Sequence, residues 1–390
     1  MSTPGLDQAA MRRLNTSVIL RVLAASDGDA TMQQLATATG LSRRTIELIV
    51  TDLVARGWAT EVESERSGGA GRPARRFRFQ ATRRVVAAAR IDTELATAVV
   101  ADLRGQTIGR AAALLGDDYF DPARAVVRAA AVVRQAASVA GVDEERIAAG
   151  VVAVGGVVDD DGVMRRLVSA PRWSGFDLTR AFEDELGGAW GADNDANLAA
   201  LAEYWTGVAQ DTQHSAWLIH GRRTGAGFVL GGEVHHGAGG AAGEIIESRV
   251  LGLERDVRDP LGMLTSPLPE DREAALVRVR EALDGDPAAR AEADRLATQI
   301  ADIVDVFAWT IAPELVVLGG GLEGGAELLV PLVRARLRAL DLPDIDVQPS
   351  AIGPDASLVG AVRRALDLAD ADLYGPVAVG ITPGDKEHLR

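Results

Sequence analysis

The sequence predicts a mixed α/β protein in two parts, a small three-helix unit with a β-hairpin and then a larger body of two α/β lobes. Three observations carry this. Two capped helices separated by a glycine turn stand near the N-terminus, a strand alternating Arg and Phe follows them, and beyond residue 84 a unit of strand meander plus helix occurs twice. At 390 residues the chain exceeds one ordinary domain, and its 47% apolar content is that of a globular protein. The expected boundaries are 1–80 for the first part, 84–372 for the body and 373–390 for a C-terminal tail.

No apolar run is long enough to cross a bilayer and no basic-then-apolar leader opens the chain, so a cytoplasmic protein without a membrane partner is expected. The absence of cysteine excludes disulfides, thiolate catalysis and cysteine-based zinc sites. Charge is unevenly placed. The net charge is −15, yet residues 1–90 hold 14 Arg against 8 Asp and Glu, a net of +6 that leaves −21 for the rest. A basic head on an acidic body fits a chain that touches phosphate at one end, although arginine-rich segments can also be plain solvated surface.

Val18, Ile19, Val22 and Leu23 fall at helical spacing and predict a first helix over 15–25, broken by Asp27-Gly28-Asp29. Thr31 and Gln34 have the capping-box form, and the short helix they open stops at Gly40. Ser42 then caps a third helix whose buried face is Ile46, Ile49, Val50 and Leu53. Its first turn turns Arg43, Arg44, Thr45 and Glu47 outward. Trp58–Val62 and Arg75–Gln80 read as two strands around a Gly/Ser loop, with Phe77 and Phe79 on one face and Arg76 and Arg78 on the other.

This is the order of a winged helix-turn-helix. In that motif the start of the third helix reaches base edges in the major groove, and an arginine at the wing tip, here within Gly71-Arg72-Pro73, enters a narrow minor groove. The candidate contacts to a double-stranded DNA operator are therefore Ser42, Arg43, Arg44, Thr45, Glu47, Arg72, Pro73, Arg75 and Arg76. The plain alternative is a protein-docking three-helix unit with solvated arginines. Readers of paired half-sites are symmetric, so a homodimer or a dimer of dimers is expected.

In the body, Val85–Asp92, Ala96–Asp102 and Thr107–Ala112 read as a meander, followed by a helix over 121–139 and a strand over 147–154. The order returns with strands near 214–220, 225–230 and 233–236 and the apolar strand Leu315–Leu318. Two such units suggest two lobes around a ligand cleft.

The body resembles the ROK family, which groups repressors, open reading frames and sugar kinases. The matching residues are Gly156 with Val158-Asp159 and Gly162, Ser169-Ala170-Pro171, Asn194-Asp195-Ala196-Asn197 before the Ala-rich helix 198–203, Gly239 to Ile245, Pro313 to Gly321, and Asp355 to Ala361. The resemblance implies a two-lobed actin-like (ribonuclease-H-like) sugar-kinase fold. It also implies that Asn194, Asp195 and Glu244 bind sugar hydroxyls, with Gly156 and Ser169 beside them and Asp195 at the position of the kinase base. An Asn-Asp pair is also an ordinary helix cap, and both roles are compatible.

Three departures bear on function. Where the family's kinases have an Asp-x-Gly-Gly-Thr phosphate loop, this chain reads Asp92-Thr93-Glu94-Leu95-Ala96. Like charges about 4 Å apart at an effective dielectric of about 20 cost ~4 kcal/mol, so Glu94 opposes ATP by roughly three decades of affinity. The second loop, Gly221 to Gly227, carries Arg222 and Arg223, which could hold a phosphorylated effector or pair with nearby acids; pairing is the favoured expectation. Ile246 and Glu247 stand where the family places Gly and a zinc-site His, so no metal and no cofactor are expected, with Glu247 a substitute acceptor for the effector. The expected function is a DNA-binding repressor of carbohydrate-metabolism genes controlled by a sugar or sugar derivative. The alternative is a sugar kinase with an accessory DNA-binding head.

Overall fold

A computed structural model describes residues 7–26, 28–62, 75–248, 251, 253, 259–340, 342 and 345–375. The head is built from α1 (Gln8–Ala25), β1 (Ala30–Thr31), α2 (Met32–Thr39), α3 (Arg43–Ala55), β2 (Ala59–Val62) and β3 (Arg76–Phe79). Helix α1 starts well before the expected residue 15 because Asp7 caps it, accepting the Ala10 N–H at 2.6 Å. Its first two turns are largely exposed and offer no apolar stripe to read. The Thr31–Gln34 capping box forms in both directions, Gly40 takes φ of 68°, and Ser42 accepts the Thr45 N–H at 3.2 Å. Strand β1, pairing with β3, was not foreseen, since two residues show no alternation and Thr31 doubles as a helix cap.

Ile46, Ile49, Val50 and Leu53 are all buried, packed in one core with Ile19, Leu23, Leu35, Phe77 and Phe79. Arg76 and Arg78 lie on the exposed face of β3, as the alternation requires. Arg72 and Pro73, at the expected wing tip, fall outside the described residues.

The first lobe contains β4 (Val85–Ile91), β5 (Leu95–Asp102), β6 (Thr107–Leu114), α4 (Pro122–Val139), β7 (Ile147–Val154), β8 (Val157–Val158), β9 (Met164–Arg166), α5 (Leu178–Leu186) and β10 (Ala189–Asn194). Its sheet has the order β10-β7-β4-β5-β6. The second half runs α6 (Asp195–Thr206), β11 (His214–Ile219), β12 (Gly225–Leu230), β13 (Glu233–Val234), α7 (Pro269–Leu283), α8 (Pro287–Thr310), β14 (Leu315–Leu318), α9 (Ala326–Ala339), β15 (Asp346–Pro349) and α10 (Ala356–Tyr374). Its sheet has the order β13-β12-β11-β14-β15. In both, an antiparallel meander extends one side of the first strand and two parallel strands extend the other. The repeat read from the sequence is thus a repeat of topology.

Helices α6 and α10 lie between the sheets. Helix α10 covers β4 and β7, while α6 covers β11 and β12. The two approach so closely that a Cβ on Gly360 would sit 1.7 Å from the Leu198 carbonyl oxygen, so a glycine is needed there. Helix α6 begins at Asp195, three residues before the Ala-rich stretch 198–203, because Asn194 caps it. Helix α10 reaches beyond the expected boundary at 372 into the head. Asp370 pairs with both guanidinium nitrogens of Arg21, one of them at 2.7 Å, and Leu366, Leu373 and Tyr374 join the head's core. At 19 residues this helix is about 28 Å long, and it connects head and cleft directly. Among the described residues no helix is long and apolar enough to cross a membrane.

Candidate functional site

Two regions bear the predicted site residues. In the head, Arg43 and Arg44 are exposed at the start of α3 and make no hydrogen bond or ion pair among the described residues. Ser42 and Thr45 are used in the cap, with their hydroxyls 2.8 Å apart. Arg76 is exposed and makes no hydrogen bond or close ion pair among the described residues, although its charge acts on Asp29. Arg75 is different. It donates to both Glu61 oxygens at 2.6 and 2.8 Å, lies 3.6 Å from Glu47, and stacks over Phe77 at 5.2 Å. Leu48, one turn beyond Arg44 and 62% exposed, is a feature of this surface that the charge-based reading passed over.

In the cleft, Asn194 ends β10 and caps α6, its Oδ1 accepting from the N–H groups of Ala196 at 2.8 Å and Asn197 at 3.1 Å. Its Nδ2 donates to the Gly156 carbonyl at 2.9 Å and to Glu244 Oε1 at 3.0 Å. One amide therefore brings Asn194, Gly156 and Glu244 together, three of the expected effector residues. Glu244 arrives there on a glycine-rich loop that needs Gly243, whose φ is 88° and whose Cβ would meet the Ala226 carbonyl oxygen at 1.8 Å. Of the remaining three, Asp195 is the next residue in the chain after Asn194, and the other two stand elsewhere. Ser169 bonds the Tyr119 hydroxyl at 2.9 Å, and Glu247 is paired with Arg166 at 2.7 Å.

Behind this site Asp193 accepts from the Asn194 N–H at 2.7 Å and from His236 Nε2 at 2.9 Å. The Asp193 hydrogen bond holds the His236 pKa above its ordinary value, with burial opposing. His236 was not singled out in the sequence, where a pair of histidines before a glycine run does not say which one faces the site.

Asp195 opens α6 with its carboxylate 3.8 Å from Arg223 Nη1. Burial pushes its pKa up, and Arg223 pulls it partly back. The two loops that stand at the positions of the family's phosphate loops face each other across this residue. Arg222 pairs with Glu94, and Arg223 Nη1 donates to Asp92 Oδ2 at 3.0 Å. The arginines thus pair with acids, as favoured from the sequence. Arg90, the one charge in the all-buried strand β4, donates to the Pro354 carbonyl at 2.7 Å. A charged residue inside an apolar strand is itself a signal, and that signal was missed.

Arg90, Asp195, Trp217, Arg223 and Ser357 line a cavity of about 10 Å³, room for one water at most. A wider groove of about 310 Å³ lies outside this cleft, along Gly191 of the edge strand β10 and Arg364 and Asp367 of α10.

Two facing α/β lobes with helices crossing between them and an Asn-Asp pair at the start of one helix form the two-lobed actin-like fold, preceded here by a head of three helices and a β-hairpin. The chain belongs to the ROK family, whose sequence profile matches residues 100–246. A kanosamine kinase of Amycolatopsis mediterranei is 32% identical over 251 residues, 60% of this chain and 78% of that one. A protein of Caldicellulosiruptor sp. named for xylose repression is 36% identical over 94 residues, 24% of each chain. A protein of Clostridium perfringens is 30% identical over 174 residues, and this chain spans 59% of its length. Among solved structures, a ROK family transcriptional regulator, a homologue of the Mlc protein of E. coli, superposes with a TM-score of 0.66 at 18% identity, covering 94% of this chain and 99% of that one.

Proposed function

We propose that this protein is a DNA-binding transcriptional repressor of carbohydrate-metabolism genes, and that a sugar or sugar derivative in the cleft sets its affinity for the operator. The head, 1–80, binds DNA; the body, 84–372, binds the effector. The observation that carries this reading is the free state of Arg43 and Arg44 on an exposed helix start, where a guanidinium can reach a guanine edge or a phosphate without breaking an existing pair. Arg76 adds a further basic contact, Arg72 and Pro73 are assigned to DNA on their sequence motif, and Leu48 offers an apolar contact to a thymine methyl. Arg75 holds Glu47 and Glu61 and orients the wing. Ser42 and Thr45 fix the helix start.

In the cleft, a sugar hydroxyl exchanges into the Asn194–Glu244–Gly156 network, with Asp195 as a further acceptor. The effector shifts the equilibrium only by its difference in affinity for the two arrangements of head and body. A homodimer, or a dimer of dimers, presents two heads to paired half-sites. The test is selection of bound duplexes from a random library, followed by anisotropy on the selected duplex with and without each member of a sugar library. No selected sequence above background would remove the regulator reading.

One alternative has an observation behind it, since Asp195 is retained and kinases are among the relatives. In that reading the chain phosphorylates a sugar. ADP release at ordinary kinase rates with any sugar would establish it. The regulator reading expects none, because Glu94 and its arginine partner stand where nucleotide phosphates would go.

A further inference from the structure

The two hairpin turns that face each other in the cleft hold equivalent places in the repeated topology. One joins β4 to β5 (Asp92 to Glu94), the other β11 to β12 (His220 to Thr224). Each is anchored to its own lobe. The Arg222 N–H donates to the Gly262 carbonyl at 3.0 Å, and Arg223 Nε to the Thr265 carbonyl at 2.8 Å. On the other side the Glu94 carbonyl accepts from the Leu115 N–H at 2.9 Å, and Thr93 bonds the Glu94 carboxylate.

Between these anchors run the ion pairs Arg222–Glu94 and Arg223–Asp92, and Arg223 also faces Asp195. With Arg90 beside Asp92 at 4.0 Å, three guanidiniums balance three carboxylates. The four side chains of the two cross-cleft pairs are only 8–26% exposed, so salt screens them far less than a surface pair. The remaining space accommodates about one water. The charges that would otherwise meet a polyphosphate are satisfied by each other.

We propose that Arg222 and Arg223 are positioning residues that latch the two lobes together over Asp195, holding the cleft closed with no nucleotide in it. Any consequence of the latch for effector binding rests on the function proposed above; the latch itself does not. Both arginines stand where the phosphate loop of a kinase has small residues, and both find their acids in the facing loop.

Hydrogen exchange of the full-length protein by mass spectrometry tests this, read on peptides covering 92–96 and 221–226. Glu94→Arg and Arg222→Glu should each speed exchange there about tenfold, equal to ~1.4 kcal/mol of lost local stability. The double variant E94R/R222E, with the pair reversed, should restore slow exchange. Exchange unchanged in the single variants, or not restored in the double, overturns the latch. Glu94→Gln and Arg222→Gln provide the same comparison without charge reversal if a single variant fails to fold. A sugar library that binds none of these proteins would defeat the effector reading while leaving the exchange result standing.

Discussion

Arginine is present in the head and in the cleft in opposite states. Arg43 and Arg44 are exposed and unpaired among the described residues, while Arg222 and Arg223 are only 26% and 19% exposed and tied to carboxylates. A free guanidinium can release counterions and meet an anion at no cost to the fold. A paired, half-buried one must first abandon its acid, which then stands uncompensated in a poorly solvated place. The same residue type therefore signals a binding surface in one region and a structural clasp in the other. Partnership, not charge count, separates them.

Four experiments sharpen or break that contrast. Replacing Arg43 and Arg44 together by Ala should have the largest effect, weakening operator binding by roughly 1–3 kcal/mol for each base contact, measured by anisotropy at fixed salt. Unchanged binding would show that the free arginines are only solvated surface. Asp195→Ala should leave DNA affinity alone and abolish the response to effector, a coupling of the order of 5–150-fold in such systems. A full response from that variant would take Asp195 out of the site.

Asn194→Ala should lower stability by about 1 kcal/mol through the lost cap, whereas Asn194→Ser keeps a capping oxygen, recovers most of that loss in a denaturant melt, and still fails to respond to effector. The smallest effect is expected from pH. The folded pKa of His236 lies above the ordinary 6.5. Its contribution is therefore complete below about pH 6.5 and is lost as pH rises through the folded pKa. Stability, followed as melting temperature, should decline as pH rises from about 6.5 to 8 in the wild type, by on the order of 1 kcal/mol or less, and decline less in His236→Gln.

Much of the head was legible because its signals are local. Ser42 to Leu53 contains its own cap and its own buried stripe, and Thr31 finds Gln34 within one turn. The strands Ile147–Val154 and Leu315–Leu318 were legible as apolar runs of strand length. The beginning of α1 was not, since an exposed first turn of Gln8, two alanines and Met11 shows no apolar periodicity, and neither was β1, whose two residues are too few. Within the cleft, the likeness to the family brought Asn194, Gly156 and Glu244 forward, and the structure joins them through one side-chain amide. Ser169 and Glu247 matched the same pattern yet have partners of their own.

Residue order was enough to specify the helix caps, the alternation of β3, the doubled meander, the loop Asp92 to Ala96 that lacks phosphate-binding glycines and the loop Gly221 to Gly227 that carries two arginines, because each of these is set by neighbours within a few positions. Which carboxylate each arginine would meet was left to the folded chain. Arg222 and Glu94 are 128 residues apart, Arg223 and Asp92 are 131 apart, and Arg21 and Asp370 are 349 apart. A pair so remote in sequence exists only after two sheets and the helices between them have packed, since that packing alone brings the charges within reach and removes the water that would otherwise screen them.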